Sequence, residues 1–416
     1  MDKSSVIDFK KPDSVVYDPL TDLIRIKARA ILSEALELEA NEFIEHLKEL
    51  KTSDGHQRVV RNGYLPGREI QTGVGAVSVK VPRVRDKEIE DDNEIVFQSK
   101  LIPKYLRKTK SMEALIPWLY LRGISTGDMS DAVAALVGEN ASGFSPTTIS
   151  RLKEGWAKEH DDWSKRDISD KSYVYFWVDG VYCNVRMDDN KQCLLVIVGV
   201  TESGDKELVA LEDGYRESEQ SWTEVLLGLK QRGLKTWPKL AVGDGAIGFW
   251  QALRKTCPET KEQRCWMHKT GNILNRLPKT AQPKAKDRIH QIWMAETKEN
   301  AEKAFDNFIE TYEAKYPKAT DCLKKDKESL LAFYDFPAQH WVHLRTTNPI
   351  ESTFSTVRLR TKKARGCFSR TTALTMAFQL MRAAQKNWRG CNKPDLLPFV
   401  MNEIKFVDGL LIEDAA

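Results

Sequence analysis

The stretch that decides the fold is Tyr173–Arg186, "YVYFWVDGVYCNVR". Six apolar or aromatic residues run together before Asp179, and apolar residues resume after it. β-Branched and aromatic side chains fill the run, so it predicts a buried strand. A carboxylate alone in such a strand costs several kcal/mol or takes up a proton. Asp179 therefore needs a compensating group.

Working outward, "QCLLVIVGVTESG" (192–204) and "KELVALEDG" (206–214) read as two further strands. Short turns join the three, which predicts an antiparallel meander. "SEQSWTEVLLGLKQRG" (218–233) has the spacing of an amphipathic helix that Gly233 ends. "WPKLAVGDGAIGFWQALRKTC" (237–257) reads as strand, glycine turn and helix, and "KEQRCWMHKTGNILNRLPK" (261–279) as a short strand passing into a helix. Three antiparallel strands, a helix, then strand–helix–strand is the order of a ribonuclease-H-like fold. Residues 281–335 are charged and helical in period, so they predict an α-helical insertion into the sheet domain. "TTNPIESTFSTVRLRTKKARG" (346–366) then resumes as one helix.

The N-terminal half differs. Residues 20–50 carry apolar residues at helical spacing. Residues 57–85 are rich in Gly, Val and turn pairs, and predict short antiparallel strands. Arg58, Arg61, Arg68, Lys80, Arg83 and Arg85 lie on them against a single acid, Glu69. Residues 88–94 form an acidic loop. Residues 111–160 predict three helices, the first two stopped by Gly123 and Gly138. The third opens with Ser145 as N-cap and Pro146 at the first helical position, and carries Arg151. That succession resembles a helix-turn-helix, with a plain helical linker as the alternative.

Composition bounds the reading. A chain of 416 residues predicts roughly two to four domains. With 41% hydrophobic and 30% charged residues it reads as globular and soluble. No apolar run approaches the ~18 residues of a membrane span, and "MDKSSVIDFKKPDS" has no apolar signal core. Seven scattered cysteines fit reduced thiols in a cytosol. The net charge of +4 does not by itself demand nucleic acid, so the placement of charge matters more. Eleven tryptophans, several beside charged residues, suit base stacking or core packing.

Asp244 ends the apolar strand of "LAVGDGAIGF", flanked by Gly243 and Gly245. In a ribonuclease-H-like sheet its strand neighbours that of Asp179, so the two carboxylates would face each other. Like charges that close need a cation, and a hard divalent ion wants oxygen ligands. Glu351, at the start of the helix after the insertion, is the candidate third ligand. Three carboxylates can hold two ions, Mg²⁺ or Mn²⁺, about 3.5–4 Å apart. Each acid also has a plainer reading. Asp-Gly is usually a turn, and Glu351 would close a capping box with Asn348 as N-cap and Pro349 at N1.

The motifs "RNGYLPGREIQTGVGAVSVKVPRVRD", "VDGVYCNVR", "VGDGAIGFW", "QRCWMHKTGNILNRLPK" and "FPAQHWVHLRTTNPIESTFSTVRLRTKKARG" together resemble bacterial insertion-sequence transposases of the Mutator type, which carry a DDE catalytic domain. The resemblance spans roughly residues 20–400. It implies a DDE triad on Asp179, Asp244 and Glu351, at spacings of 65 and 107 residues. The family's helical insertion accounts for the longer gap.

The family also carries a Cys-x2-His element, here Cys265 and His268. Spacing alone suggests half a zinc site, which His340 and His343 would complete; packing or DNA positioning is the other reading of His268, with Arg264 and Lys269 as DNA contacts beside it. Related transposases with helical insertions stack a tryptophan on a flipped base, which makes Trp341 a candidate against ordinary core packing. After Glu351 the helix carries Arg358, Arg360, Lys362, Lys363, Arg365 and Arg370 with no acid between them. So one-sided a run predicts phosphate contacts beside the metal site.

The resulting expectation is an α+β multidomain protein. Residues 1–110 form a basic helical and β-strand DNA-binding region, and 111–165 a helix-turn-helix-like domain. Residues 172–275 and 346–400 form the ribonuclease-H-like core, 276–345 the α-helical insertion and 401–416 a tail. The resemblance implies a bacterial, cytoplasmic, nucleoid-associated DNA transposase that uses two Mg²⁺ or Mn²⁺ ions. It would bind double-stranded DNA at terminal inverted repeats and target, without membrane, as a homodimer or larger. The rivals are a nuclease of the same fold, a non-catalytic DNA-binding regulator, and a glycosidase with paired carboxylates. A basic helix beside the acids argues against the last.

Overall fold

In the computed structural model, which describes residues 19–88, 94–124, 128–137, 146–185, 192–214, 216–245, 248–363 and 369–412, the helical spacing near the N-terminus forms α1 (Pro19–His46). The described residues divide into two units between Leu152 and Lys153, within a single helix. In the first unit, β1 (Val59–Tyr64) pairs antiparallel with β4 (Pro82–Asp86), and β2 (Arg68–Thr72) with β3 (Gly75–Val79). Alternate residues of β3 are buried, as a half-covered strand requires. Ile70, Val77 and Val79 pack with Leu36 of α1, Val81 and Ile102 into the core of this unit.

Half of the basic residues on these strands hold the fold. Arg58 makes a two-pronged contact with the buried Asp86, at 2.8 and 2.9 Å. Arg61 pairs with Glu37 of α1 at 2.9 Å, and Arg68 donates to the carbonyls of Pro103 and Lys104. Lys80, Arg83 and Arg85 are exposed. α2 (Lys110–Arg122) ends at Gly123 in the left-handed conformation, α3 is Met129–Val137, and α4 (Pro146–Ser164) opens on its proline. The acidic loop at 89–93, Gly138 and Ser145 lie outside the described residues.

In the second unit the run around Asp179 is the middle strand, β5 (Tyr173–Cys183), of a five-stranded sheet. β6 (Gln192–Thr201) and β7 (Lys206–Gly214) complete the antiparallel meander. α5 (Glu219–Gln231) follows, then β8 (Leu240–Gly243), α6 (Phe249–Thr256), β9 (Lys261–Arg264) and α7 (Trp266–Leu274). β8 lies parallel to β5, and β9 parallel to β8, giving the order β7-β6-β5-β8-β9. Trp222, Leu226 and Leu229 of α5 and Phe249, Trp250 and Leu253 of α6 share a core with Tyr173, Phe176 and Val178 of β5. On alternate residues of that strand, Tyr175 donates or accepts at His340 Nδ1, 2.8 Å away, and Trp177 donates to the His343 carbonyl at 2.9 Å. Both faces are thus covered, which is why the strand reads as continuously apolar.

The expected insertion contains α8 (Gln282–Trp293), α9 (Lys298–Tyr312), α10 (Pro317–Lys324) and α11 (Lys327–Leu331), followed by 3₁₀ turns at Ala332–Asp335 and Ala338–His340 and by α12 (Trp341–Leu344). Its charged composition hides an apolar seam of Phe305, Phe308 and Leu323. α13 (Asn348–Lys363) packs on β5 and α14 (Arg370–Gln385) on β7. Arg370 therefore starts a separate helix, where it pairs with Asp213 at 3.1 Å, and does not extend the basic run of α13. Within the expected tail, Phe406–Val407 and Leu410–Leu411 form a small antiparallel hairpin. The six described cysteines are all free, and no described helix is long and apolar enough to cross a membrane.

The Arg58–Asp86 pair sets an acid limit on the first unit. The guanidinium, with the Glu88 and Ile95 amides, holds Asp86 down to about 2 against burial. A carboxyl depressed in the folded state stabilises above its unfolded value and loses that stabilisation as pH falls through the folded one. Amide exchange along β1 and β4, corrected for intrinsic rates, should show protection falling between about pH 4 and about pH 2. Asp86→Asn should cost about 2 kcal/mol near neutrality and lack that acid step.

Candidate active site

Register brings the two aspartates together. Val178 of β5 is the partner of Gly243 of β8, so the next residue on each parallel strand is Asp179 and Asp244. Asp179 is 7% exposed, whereas Asp244, just past its strand, is half-buried. Asp179 accepts a hydrogen bond from the Gly180 N–H at 2.8 Å, and among the described residues no lysine or arginine forms an ion pair with it. Burial pushes its carboxyl up to about 6; the Gly180 amide and the charges of His268 and Arg358 oppose this, while Glu351 adds to it. The Asp244 carbonyl is fixed by Trp250 Nε1 at 2.6 Å and Arg264 at 3.0 Å, and Arg264 lies over the Trp250 ring.

Glu351 comes from the first turn of α13. The expected cap at Asn348 is displaced by one residue: the Thr347 carbonyl accepts the Glu351 N–H, and the Thr347 hydroxyl donates to Glu351 Oε1 at 2.9 Å. Cys265 anchors Thr347 as the residue before the helix: its sulfur accepts the Thr347 N–H at 3.3 Å and lies 3.4 Å from the Thr347 hydroxyl oxygen, whose single proton goes to Glu351. His268, one turn into α7, places Nε2 3.5 Å from the same Glu351 oxygen. The adjacent Cys265 sulfur, with the charges of Asp244 and Asp179, raises His268 to about 9 against burial, so the ring is an imidazolium at neutral pH. Burial opposes a Cys265 thiolate, yet His268 and Thr347 outweigh it and leave the thiol below its ordinary value. His268 Nδ1 is buried without an aligned hydrogen-bond partner.

A fourth acid stands here that sequence reasoning missed. Glu217, in the junction from β7 to α5, is pushed up to about 7 by burial and then by Asp179, with Asp244 adding and Tyr182 and His268 opposing. Its sequence context, "YRESEQSW", looks like any charged helix approach. The only local hint is Gly180 next to Asp179: a Cβ there would collide with the Glu217 carboxyl group.

The other expected contacts divide. Arg358 is exposed on α13 and acts on Asp179 through its charge. Arg151 is exposed on α4. Lys269 is buried and pairs with Asp326 at 2.5 Å, and Arg264 is committed to the Asp244 loop, so neither offers a free charge for phosphate. Arg360 is buried. Lys362 and Lys363 lie on α13, but their side chains and all of Arg365 fall outside the described residues. Trp341 is not an open stacking platform: it is buried against Phe333, Tyr334 and Arg345, and its Nε1 donates to the Phe336 carbonyl. The zinc pairing also fails, since His340 is spent on Tyr175 and the Lys393 carbonyl and His343 on the Asn392 N–H. Among the described residues, the group with metal-ligand spacing is Cys265, His268 and Glu351, within 4.8 Å. The Thr347 hydroxyl and His268 Nε2 both meet the same Glu351 oxygen, so this group positions Glu351.

The chain matches the family model described as Transposase, Mutator family, over residues 2–391. The transposase for insertion sequence element IS6120 of Mycolicibacterium smegmatis is 49% identical over 302 residues, 73% of this chain and 93% of that protein. The transposase for insertion sequence element IST2 of Acidithiobacillus ferrooxidans is 49% identical over 282 residues, 68% of this chain and 95% of that one. Among solved structures, the Drosophila P element transposase strand transfer complex overlays with a TM-score of 0.24 at 10% identity, covering 67% of this chain and 85% of that one, too loosely to carry weight.

Asp179 should destabilise the metal-free protein. A carboxyl raised in the folded state favours folding below its unfolded value and loses that advantage as pH rises through about 6. In EDTA at about pH 8, Asp179→Asn should be more stable than wild type by about 2–4 kcal/mol, and the gap should close below about pH 4. Urea denaturation at the two pH values measures it; equal stability at the higher pH would contradict the buried, unpaired carboxylate.

Proposed function

The chain belongs to the Mutator family of insertion-sequence transposases, and from that premise we propose that Asp179, Asp244 and Glu351 are the residues that cut and join DNA at the ends of its element. The observation that carries this reading is the pair of adjacent parallel strands that put Asp179 and Asp244 side by side, with Glu351 acting on Asp179 from the head of α13. The strand order, three antiparallel strands followed by two parallel ones, supports a ribonuclease-H-like core interrupted by the α8–α12 insertion.

The donors fit hard divalent cations. All three are carboxylates, and Asp179 is buried without a partner cation. Asp179, Asp244 and Glu351 would hold Mg²⁺ or Mn²⁺. When bound, two such ions supply an activated nucleophile and stabilise the leaving oxygen of an in-line phosphoryl transfer. The chain's own part is positioning. Strands fix the two aspartates, Thr347 and His268 orient Glu351, and the fixed charges of His268 and Arg358 draw a phosphate toward the acids. Water attacks first to nick the element end, and the freed 3′-hydroxyl then attacks a second phosphodiester. The same site serves both steps, and no side-chain nucleophile is needed.

Residues 1–110 and the helix-turn-helix-like 111–165 would bind the terminal inverted repeats. Exposed Lys80, Arg83, Arg85 and Arg151 are available for phosphates. Joining two ends calls for at least a dimer on DNA. The relatives are bacterial, so the reading places the work on nucleoid DNA in bacterial cytoplasm.

Purified protein with labelled element-end DNA should nick the end and then yield joined products in Mg²⁺, but not in EDTA. Asp244→Ala should bind the end and do neither. Nicking without joining would convert the reading to a nuclease, and binding without cleavage to a regulator. Arg358→Ala should weaken end binding and reduce the slope of log affinity against log salt by about one. An unchanged slope would take α13 out of the DNA path.

A further inference from the structure

We propose that Glu217 is a fourth metal-binding carboxylate of this site, acting beside Asp179 and Asp244. The inference rests on the triad reading above and extends it to a residue in a different segment of the chain.

Two close approaches hold Glu217 in place. Its carbonyl accepts the Gly248 N–H at 2.8 Å. Position 248 admits no side chain, because a Cβ there would strike the backbone of Ser218 and Glu219. Gly248 stands four residues after Asp244, so the Asp244 turn and the Glu217 junction are clamped to each other. The Glu217 carboxyl in turn lies against the bare Cα of Gly180, the residue after Asp179. One clamp ties Glu217 to each aspartate.

The charges that face Glu217 do not explain it as a structural acid. Asp179 and Asp244 repel it, and His268 and the Tyr182 hydroxyl favour it. Among the described residues no lysine or arginine pairs with Glu217, whereas the neighbouring Glu219 is paired with Lys255. His268 is already engaged by Cys265 and Glu351. Asp179, beside which Glu217 stands, is 7% exposed and takes its hydrogen bond from a backbone N–H, so no side-chain cation neutralises the pair. A third acid set against an unneutralised aspartate pair is relieved by a proton or by a shared cation, and three oxygen donors suit a hard dication.

The test is Mn²⁺ binding to the full-length protein without DNA, read by electron paramagnetic resonance of free ion. Glu217→Gln keeps the shape and removes the charge; it should weaken Mn²⁺ binding by about tenfold or more, with a melting temperature in EDTA no lower than that of wild type. Gly180→Ala should do the same by displacing the Glu217 carboxyl while leaving every acid in the chain. Wild-type affinity in Glu217→Gln overturns the proposal. Asp179→Asn separates the two readings. If it abolishes binding while Glu217→Gln does not, only the role of Glu217 falls. If neither variant alters binding, the metal-binding triad falls with it. Should Glu217→Gln fail to fold, Glu217→Asp, which keeps the charge but shortens the reach, must weaken Mn²⁺ binding for the proposal to stand.

Discussion

Everything in the second unit is arranged around a carboxylate buried at the middle of a sheet. Asp179 sits on β5, covered by α5 and α6 on one face and by α13 with the α12 region on the other. That covering makes the strand rigid and sets the desolvation cost of the charge. A surface loop could carry the same acid at no cost, but it would not hold it within an ångström of its partners. Strain of this electrostatic kind is what a protein keeps where it must bind a cation tightly and release none of its own geometry.

The same constraint explains the local architecture. Once Asp179 and Asp244 are adjacent, each further group must either neutralise them or be fixed against their field. Glu351 is fixed. Thr347 hydrogen-bonds it, Cys265 holds Thr347, and His268 supplies a cation on its other side. The Cys-x2-His spacing is therefore a helix-start device: Cys265 stands before α7 and His268 one turn along, so both face the start of α13. Spacing that suggests half a zinc site and spacing that brackets a helix terminus are alike in sequence. They differ only in what arrives from 82 residues away, here Thr347 with Glu351 behind it.

How much was legible follows from the range of each interaction. The strands and helices of 173–279 were legible because burial on both faces writes itself as an unbroken apolar run, and Asp179 and Asp244 stood out against it. The end of α2 at Gly123 and the start of α4 at Pro146 were legible for the same local reason. Glu217 was not, since nothing in "RESEQ" marks a residue that folds back over Gly180. Nor was the division of the basic residues. Arg58, Arg61 and Lys269 are committed to Asp86, Glu37 and Asp326, from 24 to 57 positions away, and a charge count cannot separate them from exposed Lys80, Arg83 and Arg358. Trp341 failed likewise: a tryptophan near a catalytic acid looks the same whether its faces are open or packed.

His268 and Arg358 both reach Asp179 by charge alone, and neither forms an ion pair with it. Had one done so, the aspartate would have been satisfied by protein, and a metal would have had to displace a salt bridge before binding. Instead the imidazolium is held at Glu351, the half-exposed acid, and the guanidinium lies exposed on α13. On the proposed function, the most desolvated carboxylate is the one left for an external cation, and the positive side chains are the ones left for a phosphate. Separating the two kinds of positive charge in this way would let one site attract both a dication and a polyanion without either being excluded by the protein's own residues.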